Sequence, residues 1–164
     1  MPFRRLGIVQ LASFLLLFGV PLAASLALDR AAARPSESMK FFDAPSQAAE
    51  FIGYSRSIAL TPAQQKIRDV ALRAMTAPCC KDFPLATCCC PCNLAKSAWG
   101  LTNYLIARQG ATPAEVRKAV GGWLAFVNPT GFSGKACNTA GGCARRFSDD
   151  GCGGMDERNL LAAR

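Results

Sequence analysis

The sequence predicts an all-α protein, a small three- to four-helix bundle followed by an irregular C-terminal segment rich in cysteine and glycine. Three observations carry this prediction. Apolar residues recur at helical spacing in successive segments between residues 62 and 127. Two of those segments open on Thr-Pro-Ala capping boxes, with proline at the first helical position where its missing N–H costs nothing. After Pro129 the periodicity stops.

The chain of 164 residues begins with the features of an export signal. Arg4 and Arg5 form a positive start, Leu11 to Val20 is almost wholly apolar, and small residues follow up to Ala27. Residues 1–27 are therefore expected to be a cleaved secretory signal, which places the protein in the periplasm or outside the cell. The alternative is an uncleaved membrane anchor over residues 6–28, close to the ~20 apolar residues that span a bilayer. Residues 28–45 read as a linker, with Phe41 and Phe42 docking on the core, and 46–164 as the cysteine-rich helical domain.

Pro45-Ser46 offers a start for a short helix through Ala48, Phe51, Ile52 and Tyr54. Thr61-Pro62-Ala63-Gln64 starts the next, with Ile67, Val70, Ala71 and Ala74 on one stripe and an end near Ala77-Pro78. A further helix begins at or just before Asn93, a good cap, carries Leu94, Ala98, Leu101 and Leu105 on one face, and stops at Gly110. Gly100 in its middle costs ~1 kcal/mol against alanine, a cost that close packing would offset. Thr112-Pro113-Ala114-Glu115 opens the last helix, lined by Val116, Ala119, Val120, Trp123, Leu124 and Val127. The short link from Gly110 to Pro113 predicts an antiparallel hairpin, with the helix from Thr61 laid against it. Trp99, Trp123 and Tyr104 are expected to pack in the core. Residues 130–154 hold seven glycines and three cysteines with little apolar content, so this tail needs its cysteines to tie it down.

The formal charge of +8 includes the two arginines at the start, and the remaining basic residues are scattered over three helices. That pattern argues against nucleic-acid binding, which uses a clustered basic face. The chain contains no histidine, which removes Ser-His and Cys-His dyads, histidine-ligated metals and histidine-held haem. Nor does it point to a nucleotide cofactor. Asp149, Asp150 and Asp156 do not follow the EF-hand spacing and read as a solvated turn.

Chemistry then rests on sulfur. Of nine cysteines, six fall within the run CCKDFPLATCCCPC: Cys79, Cys80, Cys88, Cys89, Cys90 and Cys92. Thiolates ahead of a helix N-terminus, without imidazole, suit a thiophilic ion, Cu(I) first and Zn(II) second. All six are candidate metal ligands, and Met75 could add a thioether. The Zn(II) version lacks a regular second knuckle, because Cys137 and Cys143 are separated by five residues. A disulfide framework is the purely structural alternative, with Cys137, Cys143 and Cys152 as candidates for bridging the tail to the cluster and, the total being odd, one thiol left over or paired with another chain. A thiol–disulfide role using Cys89 and Cys92 is the third reading. If the protein is an enzyme, it is expected to be of that kind; otherwise no catalytic residue is assigned. The expected partners are a metal ion or a thiol protein.

Cys89-x-x-Cys92 followed by Asn93, a helix to Gly110, a capping box and a second helix resembles the periplasmic thiol-oxidoreductase domain of the CcmH family of cytochrome c maturation, over residues 61 to 128. The resemblance implies a three-helix bundle with Cys89 and Cys92 as the reactive pair. The chain departs from the family in lacking its Leu-Arg-Cys approach and in adding Cys79, Cys80, Cys88 and Cys90.

Overall fold

A computed structural model describes residues 39–161 apart from 79, 89, 130–144 and 150. The expected export signal, residues 28–38 of the expected linker, and Cys79, Cys89, Cys137 and Cys143 lie outside the described residues. Where it is described, the chain is mostly helical and forms the small all-α fold that its periodicity predicts. The helices are α1 (Ala44–Ser57), α2 (Pro62–Arg73), α3 (Asn93–Gln109) and α4 (Pro113–Val127). Between α2 and α3 lie two short strands, β1 (Thr76–Ala77) and β2 (Cys80–Pro84), and a 3-10 turn, Leu85–Thr87. After α4 come a second 3-10 turn, Phe147–Asp149, and a single helical turn, α5 (Arg158–Leu161).

Helix α3 is the centre of the fold. Leu94, Ala98, Leu101 and Leu105 are buried as their spacing predicts, and buried residues occur all round its first three turns. Its most extensive partner is α1, so the bundle closes on the helix from Ala44 as well as on α2. Gly100 explains how close the two come: a Cβ there would overlap the carbonyl of Phe51, so only glycine allows this crossing.

Helix α1 starts earlier than Pro45-Ser46 suggests, with Asp43 as its N-cap. The Ser46 hydroxyl donates to the Asp43 carboxylate (2.6 Å). Gln47 accepts from the Phe42 amide at 2.8 Å and donates to the Lys40 carbonyl at 3.1 Å, folding the incoming chain back over the helix start. That fold-back seats Phe41 with its ring centroid 5.4 Å from Trp123, while Phe42 stays exposed.

Both capping boxes form. The Gln64 amide donates to Thr61 Oγ1 (3.3 Å), and the Glu115 amide to Thr112 Oγ1 (3.4 Å). The Thr112 amide and hydroxyl donate in turn to Glu115 and hold its carboxyl below the usual range. Helix α2 differs from expectation in two respects. It ends at Arg73, because β1 and β2 pair antiparallel across the following residues with an irregular register. Its buried face is also rotated toward Leu72, leaving Ile67 half-buried and Val70 57 % exposed, because the neighbouring elements meet it from that side. Gly110 takes the left-handed conformation (φ +67°) that ends α3. Helix α4 returns with Val116, Val120, Trp123 and Val127 buried and Ala119 and Leu124 half-buried.

Candidate functional site

The cysteine loop 88–92 runs from the 3-10 turn to the first turn of α3 and is pinned at both ends. On the upstream side Leu85 is fully buried. Its amide donates to the Met75 carbonyl (2.7 Å), and its carbonyl accepts from Trp99 Nε1 (2.8 Å). Downstream, Cys92 rather than Asn93 is the N-cap of α3, in extended conformation, and its carbonyl accepts the Lys96 amide (2.9 Å).

Asn93 reads as a cap in sequence because its side chain commonly satisfies a helix's first amides. Here the C-terminal tail does that work. The Asn93 amide donates to the Gly154 carbonyl (2.8 Å) and the Leu94 amide to the Cys152 carbonyl (3.0 Å). Asn93 sits in the first helical position, and its Nδ2 donates to the carbonyls of Gly153 (2.7 Å) and Asp156 (3.0 Å). Lys96 Nζ adds a bond to the Met155 carbonyl (3.0 Å) and faces Glu157, which also pairs with Arg56 (2.8 Å).

The tail is shaped for this docking. The Gly151 and Gly153 amides donate to the carbonyls of Arg146 and Arg145, making a tight loop. Gly153 has φ +76°, and a Cβ there would run into the Phe147 ring, so glycine is required twice over. Phe147 and Leu160 bury against the core. Asp156 accepts from the Arg158 side chain and amide, which holds its carboxyl below the usual range and raises the Arg158 guanidinium. Asp156 is thus engaged with Arg158 while its side chain remains solvent-exposed at the surface.

Of the six clustered cysteines, the structure places Cys80 on β2, buried and free, and Cys88, Cys90 and Cys92 on the loop. Cys88 and Cys92 are buried and Cys90 is partly exposed. Cys152 arrives from the tail, fully buried, in the same apolar cluster as Cys92. Among the described residues, no three cysteine or carboxylate side chains form a group able to hold a metal ion. Met75 lines a shallow groove of about 200 Å³ with Arg73, Asp82 and Phe83.

The residue that sequence reasoning passed over is Asn93 as an anchor. Its Oδ1 is buried and lacks a hydrogen-bond partner, while its Nδ2 holds two carbonyls of the tail. The signal for such a role is weak, since an asparagine before an apolar helix is ordinarily a cap. Comparison with protein-family models, with curated proteins and with solved structures finds no match.

Proposed function

We propose that the protein is an exported thiol protein that takes up a thiophilic metal ion at the loop 88–92. The observation that carries this reading is the position of Cys90. It is the most exposed of the described cysteines, on a loop fixed on one side by Leu85 and on the other by α3. An incoming ion meets Cys90 first, with Cys88 and Cys89 next to it in the chain.

Cu(I) is favoured over Zn(II). Soft thiolates select Cu(I), and a chain without histidine offers no competing imidazole site. Structural Zn(II) sites take four ligands in a tetrahedron. Cu(I) is content with two thiolates, which Cys88 and Cys90 would supply without a third or fourth ligand. Export rests on the apolar N-terminal segment, outside the described residues; among the described residues no helix is long and apolar enough to cross a membrane.

The test is an anaerobic titration of the reduced protein with Cu(I) against a chromophoric chelator. About one Cu(I) per chain is expected in the wild type and in Cys80→Ser, with loss of uptake in Cys88→Ser/Cys90→Ser. Unchanged stoichiometry in that double variant would overturn the reading.

A further inference from the structure

We infer that Cys92 and Cys152 are joined by a disulfide that staples the tail to the start of α3. Three observations converge on this pair. The tail backbone is held against the first turn of α3, since Asn93 and Leu94 donate to the Gly154 and Cys152 carbonyls. Leu94 lies two residues after Cys92 and its amide donates to the carbonyl of Cys152 itself at 3.0 Å, so the two cysteines flank one backbone contact. Cys92 and Cys152 lie within a residue or two of those contacts.

Both side chains are shut away in the apolar core, with Cys92 1 % and Cys152 0 % exposed. While the tail is docked, a thiol of another molecule has no route to either. The tail is also brought to this place by groups other than sulfur: Asn93 Nδ2 on Gly153 and Asp156, and Lys96 on Met155. Docking therefore precedes oxidation and selects the partner, which leaves the bond the task of making the placement permanent. In the step itself the two thiols form one S–S bond. When the tail opens transiently, one thiolate attacks a disulfide oxidant of the exported compartment and releases its first thiol; on re-docking the other cysteine displaces the second, so the pair loses two protons and two electrons and the oxidant leaves as two thiols.

The staple uses neither Cys88 nor Cys90, so it coexists with the metal reading and can fail or hold independently of it. It rests only on the export part of that reading. The test is non-reducing tryptic mapping of the exported protein. The peptide Asp82–Lys96 is expected linked to Phe147–Arg158, and fragmentation by electron transfer in the wild type reads which cysteine of the first peptide is bonded. In parallel, alkylation under denaturing conditions without reduction should leave Cys152 unlabelled in the wild type, Cys88→Ser and Cys90→Ser, and label it fully in Cys92→Ser. A Cys152 that is alkylated in the wild type, or fragments linking it to any cysteine other than Cys92, would overturn the inference whether or not Cys92→Ser folds.

Discussion

Asn93 spends its one donor group on two tail carbonyls, at 2.7 and 3.0 Å, in a site with no access to water. Two partners on Nδ2 also fix which way the amide points, because the reverse orientation would set Oδ1 against two carbonyl oxygens. Replacing it with alanine strands those two acceptors, and a buried polar group without its partner costs roughly 1–3 kcal/mol. Loss of the unpartnered Oδ1 returns part of that. Asn93→Ala is expected to lower stability by about 2 kcal/mol and to speed amide exchange in residues 151–157 more than in α4. Asn93→Asp should be worse, because a carboxylate would then face the carbonyls of Gly153 and Asp156. Urea unfolding with exchange mass spectrometry measures both, and an alanine variant with unchanged tail exchange would show that Asn93 is no anchor. At this scale the capping threonines and the Gly110 stop are legible in sequence, because each acts on residues three or four positions away. The N-cap of α3 is not, because the groups that satisfy its first amides come from sixty residues downstream.

Among the elements, α1 and α3 set the tightest constraint. Their crossing brings the Phe51 carbonyl onto Gly100, and the Tyr54 and Tyr104 rings stack alongside with centroids 4.8 Å apart. The Tyr54 hydroxyl donates to Glu50, which raises its pKa to about 12 and keeps that ring neutral over the usual pH range. On propensity alone Gly100→Ala would stabilise α3 by ~1 kcal/mol. At this crossing the added methyl meets backbone, which cannot rotate away, and overpacking of that kind costs typically ~1–3 kcal/mol. A net loss of about 2 kcal/mol is expected by chemical denaturation, with α1 displaced. A variant more stable than wild type would mean that the helices separate at no cost. Helical periodicity exposes the buried faces of α3 and α4 in the sequence. It identifies only part of the face of α2, where Leu72 is buried and Val70 is not, because the partners of that helix decide which side of the stripe is covered. The hairpin of β1 and β2 is too short to leave an alternating pattern.

At the scale of the whole molecule, sulfur among the described residues is graded by depth. Cys90 is partly exposed, Cys80 and Cys88 are buried at 6 % and 9 % exposure, and Cys92 and Cys152 are shut in where the tail meets α3. The clustering of cysteines is plain in the sequence, but this grading is not, since it depends on a segment with few apolar residues folding back over α3. Phe147 and Leu160 provide its apolar contacts with the core, and main-chain carbonyls provide much of the rest. A segment held mainly by hydrogen bonds at one helix end opens at lower cost than the bundle unfolds. In fully reduced protein under native conditions, alkylation should therefore proceed in three stages. Cys90 reacts first, limited by reagent. Cys92 and Cys152 follow together at the rate of tail opening, and in Asn93→Ala that rate rises for both while the Cys90 rate stays the same. Cys80, buried on β2, is expected to react on the timescale of global unfolding. Peptide-resolved labelling over time measures all three. If Cys152 reacted as fast as Cys90, the tail would not cover the thiols at all, and the burial of Cys92 would have to come from the bundle alone.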